Sequence, residues 1–269
     1  MPPDLDKLIK CGFTWLMDEN MWVEDPIKNE YMPRIAGWDT RLREGMEIPE
    51  GSQLDELCQA YPEWPLTLLV RQNLDTAVDN LLCMCKLHEH ESGEVHRTAL
   101  PALARSALAA ACTAIWQLYP DDSGVRITRG LQLVQLNNKN FQDAFKKPPE
   151  YLGPVDPEGA QVLQDFHSMQ DRGVAAAFKK HGLQKKGPSK DTQIVEWVAG
   201  VTEPMKYTRP GEVMYLWRRC SGDVHGQMWP HFTPFPEDPY DFVNDLMGVG
   251  TALTHFAFMA WEERAKRAA

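Results

Sequence analysis

The amino-acid sequence predicts an all-α fold: a bundle of about five to seven helices with an irregular, tryptophan-rich N-terminal arm. Three observations predict it. Apolar residues after position 65 recur at steps of three and four, which is the helical period, and no segment shows the strict alternation of a half-buried strand. Turn residues separate the periodic segments. We therefore divide the chain into the arm, residues 1–65, and a helical bundle domain, residues 66–269.

The N-terminal arm shows weak periodicity, and only two short helices are predicted in it, over residues 5–17 and 52–61. Ser52 is typical of a helix N-cap, because acidic residues follow it in the first turn. Four tryptophans in an unstructured tail would be unusual, so we expect the arm to pack against the bundle. These tryptophans are Trp15, Trp22, Trp38 and Trp64.

The helices of the bundle follow from apolar spacing and from the turn residues between them. Helices are predicted from Pro65 to Ser92-Gly93, over about 98–119, 125–147, 158–181 and 191–200, from Pro210-Gly211 onward, and along the segment from Phe242 to Ala260. In the last of these, apolar residues alternate steps of four and three, a seam that faces other helices. The second is rich in alanine, which favours helix and permits a close neighbour.

The charge is unevenly distributed along the chain. A net charge of −10 argues against generic nucleic-acid binding, because that affinity depends on neutralising phosphates. Residues 172–219, however, contain 10 Lys and Arg against 4 Asp and Glu. Within this basic region Lys185 and Lys186 either guide RNA or form a solvated loop.

Targeting signals and cofactor motifs are not evident in the sequence. The opening residues lack a long apolar stretch, and the most apolar run, 106–116, is about half a membrane span. We therefore expect a soluble, cytoplasmic protein that does not enter a membrane. The six cysteines are expected to be reduced thiols, and no cofactor is expected.

The stretch "RRCSGDVH" carries the main candidate chemistry. On a continuous helix Arg218, Ser221 and His225 share a face, whereas Arg219 lies four residues before Asp223, the spacing of an exposed ion pair. Arginine binds phosphate through a planar fork of donors, and histidine exchanges protons near neutral pH. Together they can act on a phosphodiester without a metal.

Two further features bear on this candidate site. Arg105, in the alanine-rich helix, either approaches the same anion as His225 or faces water. Gly222 and Gly226 lower helix stability nearby, which would open the backbone to a substrate.

An R-x(4–6)-H motif in a late helix of an all-α bundle resembles the HEPN superfamily. Arg218 and His225 form R-x6-H, and Arg219 and His225 form R-x5-H, although Cys220 stands where the commoner form has a polar residue. The resemblance implies a metal-independent endoribonuclease, commonly a homodimer, that acts on RNA such as tRNA. It also implies a toxin or phage-defence setting with an antitoxin or other partner protein. The alternative within the family is a non-catalytic binding or scaffold protein.

A metal-dependent helical enzyme is the remaining alternative. The segment "LHEHESGEVH" invites a metal interpretation, but two of its histidines are two residues apart and diverge on a helix. Its candidate ligands are His88, Glu89, His90, Glu91, Glu94 and His96. A polar helix end explains the segment equally well. Asp121-Asp122 and Asn244-Asp245 match the magnesium motifs of class I terpene synthases only in part, and turn and cap chemistry explains them.

Overall fold

The computed structural model describes residues 25–90, 98–145, 157–184, 190–228, 230 and 239–269. Within these ranges the chain has a π-helical turn, Ile27–Tyr31, nine α-helices and no β-strand, so the all-α prediction is confirmed. Nine helices exceed the five to seven expected. They are α1 (Met32–Glu44), α2 (Gln53–Ala60), α3 (Leu66–His90), α4 (Ala99–Leu118), α5 (Ser123–Phe145), α6 (Pro157–Lys180), α7 (Asp191–Thr202), α8 (Glu212–Val224) and α9 (Pro239–Lys266).

Helix α1 lies in the region that was predicted to be an irregular arm, and for this segment the prediction is wrong. Pro33 sits in the first turn, where a missing N–H costs nothing, and Gly37 is tolerated inside the helix. Ile35, Trp38 and Leu42 are buried at steps of three and four. Pro33 and Gly37 are residue types that often interrupt helices, so the sequence did not indicate this helix, although its apolar face is regular.

The described part of residues 1–65 packs into the same core as the rest of the chain. Trp38 stacks on Phe258 of α9, with ring centroids 5.3 Å apart. Ser52 caps α2 as predicted, because its Oγ accepts a hydrogen bond from the Asp55 N–H at 3.2 Å. Trp15, Trp22 and the helix expected over residues 5–17 lie outside the described residues.

Helix α4 is at the centre of the bundle and packs against α3, α5, α7, α8 and α9. Its many alanines are mostly buried, which allows these close contacts. Within the described residues it is the one helix that is long and apolar enough to cross a membrane, and most of its surface is covered by neighbouring helices. Its composition suits a central core helix.

The apolar residues of α8 recur at steps of four and three, which predicts a buried stripe, and the structure buries this stripe except at its end. Val213, Trp217 and Cys220 are buried, whereas Val224 is exposed because the helix stops there. The buried stripe holds α8 against α4 and α7. This packing sets the C-terminal end of α8 beside Arg105 of α4.

Candidate functional site

Helix α8 ends at a glycine, and this end sets the position of His225. Gly226 has a left-handed backbone with φ of 62°, its N–H donates to the Asp223 carbonyl, and the Gln227 N–H donates to the Gly222 carbonyl. This pair of hydrogen bonds is the Schellman pattern of helix termination. Gly226 therefore has a structural reason to be glycine, and His225 is the exposed residue just before it.

The two adjacent arginines have opposite surroundings. Arg218 is exposed, whereas Arg219 is only 2% exposed. The Arg219 Nη1 donates to the Tyr215 hydroxyl at 2.8 Å, and its guanidinium carbon lies 4.4 Å from the centre of the Phe242 ring. The prediction that Arg219 is exposed is wrong, because Phe242 of α9 covers this side of α8. An aromatic face attracts the guanidinium cation and stabilises it there.

Arg105 reaches the candidate site from the central helix. Its Nε donates to the Ser221 Oγ at 3.0 Å, and its guanidinium carbon lies 4.6 Å from the centre of the Trp217 ring. The structure therefore brings together two of the residues that the sequence singled out. Ser221 lies about one helical turn before His225. Arg105 therefore holds a hydroxyl near the C-terminal end of α8, where His225 is exposed.

Cys220 lies between these groups but does not offer a reactive thiol. Burial, and to a smaller extent the negative charge of Asp223, raise the pKa of its thiol to about 12, against the opposing effects of Arg219 and Arg105. The thiolate is the reactive form of cysteine, so at neutral pH this side chain stays protonated and acts as a small apolar group.

Of the candidate metal ligands in the histidine-rich segment, His88 and Glu89 have described side chains. The His88 Nε2 lies 3.1 Å from the Asp25 Oδ1, and its ring meets Tyr240 edge-on. Within the described residues no group of three or more His, Cys, Asp or Glu side chains is arranged to hold a metal ion. Glu91, Glu94, His96 and the side chain of His90 lie outside the described residues.

The two lysines proposed to guide RNA, Lys185 and Lys186, also lie outside the described residues. The sequence did not reveal the aromatic partners of the arginines. Tyr215 is four residues before Arg219, so helical spacing offers that pair as a signal. Phe242 belongs to a distant helix, and no local pattern connects it to Arg219.

No protein-family model, curated protein sequence or solved structure matches this chain. The interpretation of the site therefore rests on the geometry of this chain's own residues. The HEPN resemblance stays a prediction from one sequence motif in an all-α chain.

Proposed function

We propose that this chain is a metal-independent ribonuclease of the HEPN type, in which His225 transfers protons and Arg218 binds the phosphodiester. One observation carries the proposal: His225 is exposed at the C-terminal end of α8, and Arg218 is exposed in the middle of the same helix. Seven residues, about two helical turns, separate them, so they lie on the same side of the helix. A single bound nucleotide can contact both.

The proposed reaction is transesterification by the ribose 2′-hydroxyl. His225 accepts the hydroxyl proton, the 2′ oxygen forms a bond to phosphorus, and the bond from phosphorus to the 5′ oxygen breaks. The leaving 5′ oxygen takes a proton from an imidazolium, for which we propose His225 of a second copy of this chain. The positive charge of Arg218 stabilises the negative charge that develops on the phosphoryl oxygens.

Arg105 and Ser221 are proposed to bind substrate beside this pair. The Arg105 guanidinium is half-buried and holds the Ser221 hydroxyl through its Nε. A hydroxyl fixed in this way offers a hydrogen bond to a ribose or a phosphate oxygen. We assign no substrate contact to Arg219, because it is buried against Tyr215 and Phe242. The operative motif is then R-x6-H.

A non-catalytic binding protein is the second candidate, and one observation favours it. Arg219 forms the shorter R-x5-H motif with His225, yet its guanidinium contacts a tyrosine hydroxyl and an aromatic ring of the protein. If the shorter spacing is the one that catalysis needs, the site binds an anion and leaves it intact. RNA as ligand, a homodimer, an antitoxin or other partner, and a toxin or phage-defence role remain proposals from the resemblance. A cytoplasmic location remains a proposal from the hydropathy of the sequence.

Cleavage of total tRNA in the presence of EDTA tests the proposal. We expect the wild type to cleave, and His225→Ala to lose at least about 100-fold in rate, the typical contribution of general acid–base catalysis. His181→Ala is the matched control, because His181 also precedes a left-handed glycine, Gly182, at the end of a helix. The control is expected to cleave at close to the wild-type rate.

Three outcomes of this assay contradict a metal-independent ribonuclease. They are no cleavage by the wild type, cleavage that EDTA abolishes, and equal loss in the His225 and His181 variants. An inactive wild type that still binds tRNA, with affinity that Arg218→Ala lowers, supports the non-catalytic candidate.

A further inference from the structure

A cavity of about 540 Å³ lies at the C-terminal end of α4, between the first turns of α5 and the residues that follow α6. Its volume is within the range of small-molecule sites in proteins. Its lining combines an indole with amide, hydroxyl and charged groups. The lining residues that matter here are Trp116, Asp122, Thr128, Arg129, Gln132 and Gln184.

Arg129 is held in the wall of this cavity by two tryptophans. Its guanidinium carbon lies 4.1 Å from the centre of the Trp197 ring and 4.8 Å from that of Trp116. Its Nη1 also donates to the backbone carbonyl of Trp116. The planar guanidinium is therefore fixed in one orientation by aromatic faces and a neutral acceptor.

The positive charge of Arg129 is not balanced by a carboxylate of the described residues. No ion pair to Arg129 is formed within them, and burial alone lowers the pKa of its guanidinium to about 10. The group stays charged at neutral pH. Arg129 is half-buried, so it bears part of the cost of removing a cation from water without a counterion, and the aromatic rings offset some of that cost. An external anion would supply the missing charge.

We infer that this cavity binds a small organic molecule with one carboxylate or phosphate group, which Arg129 holds. Thr128, Gln132 and Gln184 provide hydroxyl and amide groups for the neutral part of the ligand. Asp122, also in the lining, accepts the Val125 N–H at 2.8 Å, so the N-terminus of α5 offsets part of its charge. The carboxylate of Asp122 disfavours a second anionic group on the ligand.

This inference does not depend on the proposed ribonuclease. Arg105 and Trp116 are eleven residues apart on α4, which is about 16 Å along its axis. Among the described residues, none of those assigned to RNA cleavage lines the cavity. Failure of either proposal therefore leaves the other intact.

Calorimetric titration with two matched pairs of probes tests the inference. AMP and adenosine differ by a phosphate group, and benzoate and benzamide differ by the charge of a carboxylate. We expect saturable binding of AMP, of benzoate or of both, and at least tenfold weaker binding of the neutral member of the same pair. Binding in the AMP pair alone identifies a phosphate ligand, and binding in the benzoate pair alone identifies a carboxylate ligand.

Variants connect the binding to the cavity. Arg129→Gln removes the cation, and Thr128→Glu adds a carboxylate to the cavity wall while Arg129 remains, so each is expected to weaken the charged probe at least tenfold. Arg41→Gln, which alters a guanidinium packed on the ring of Phe258 and does not line the cavity, is expected to change the affinity less than twofold. If Arg129→Gln does not fold, Thr128→Glu decides the matter.

Two results would overturn the inference. The first is no saturable binding of either charged probe at concentrations up to 10 mM, a limit of about 3 kcal/mol in binding free energy. The second is binding that the neutral probes match or that the folded cavity variants retain.

Discussion

Near each end of the central helix α4 an arginine packs on a tryptophan ring, but we propose different roles for the two arginines. Arg105 lies over the ring of Trp217, and Arg129 lies between the rings of Trp116 and Trp197. Neither guanidinium forms an ion pair within the described residues. Indole faces and neutral hydrogen-bond acceptors hold each cation in place, so its charge stays available to an external anion.

The difference between the two ends lies in what surrounds each cation. Near Arg105, α8 and its C-cap contribute an exposed arginine, Arg218, and an exposed histidine, His225. Within the part of the chain that the structure describes, no histidine lines the cavity at Arg129. Proton transfer is therefore proposed at the first end and simple binding at the second.

The adjacent arginines of α8 give the largest expected effects. Arg219→Ala removes a buried cation and leaves the Tyr215 hydroxyl without this partner, so we expect it to lower the free energy of unfolding by about 3 kcal/mol. Arg218→Ala alters an exposed side chain and should change that free energy by less than about 0.5 kcal/mol. The same variant should slow RNA cleavage at least about tenfold.

Urea unfolding and the cleavage rate of each folded variant check this prediction. Equal destabilisation by the two substitutions would show that their surroundings are alike, and normal cleavage by Arg218→Ala would remove the proposed phosphate contact.

His255 also lies beside a tryptophan ring, but unlike the two arginines it is neutral, because burial lowers its pKa. It lies 6.0 Å from the Trp38 ring, and burial, followed by the charge of Arg34, lowers its pKa to about 4, against a smaller opposite effect of Glu262. The unfolded chain therefore binds this proton more readily than the folded one. The folded state should lose about 3 kcal/mol of stability as the pH falls from 7 to 4.

Unfolding curves of wild type and His255→Gln between pH 7 and pH 4 isolate this contribution. We expect a flatter pH dependence in the variant, because the wild-type fall reflects uptake of a proton by the unfolded histidine. Identical pH dependence in the two proteins would show that His255 does not titrate in this range.

Two glycines are expected to respond in opposite directions, with the smallest effects. Gly226→Ala places a side chain at φ of 62°, and we expect a loss of about 1 kcal/mol and a displaced His225. Gly37→Ala lies inside α1 with no atom within 4 Å of the added carbon, so it should gain about 0.5–1 kcal/mol. Thermal unfolding of both variants measures this, and destabilisation by Gly37→Ala would contradict the regular helix α1.

The sequence predicts much of the fold because its signals are local. The Ser52 cap and the apolar spacing of the long helices depend on neighbouring residues, and the structure confirms both. Helix α1 was missed because Pro33 and Gly37 interrupt its pattern, although a proline in a first turn is compatible with a helix. In α1 the apolar spacing favours a helix, whereas the proline and the glycine within the same few residues favour a loop.

The candidate site was less predictable, because its contacts join distant segments. Helical spacing gives the angle between Arg218 and Arg219, but it does not say that Phe242 of α9 covers the second of them. The packing of Arg129 against Trp197 also joins residues on separate helices. No periodicity in a single segment encodes such pairs.

The chemical ends of the RNA products test the central claim most directly. We predict that the wild type, in EDTA, cuts a short RNA to leave a 2′,3′-cyclic phosphate and a 5′-hydroxyl. The same RNA with a 2′-deoxy nucleotide at the cleaved position should remain intact, because the attacking hydroxyl is missing. Cleavage of the 2′-deoxy substrate, or products with a 5′-phosphate, would contradict proton transfer by His225 from the ribose.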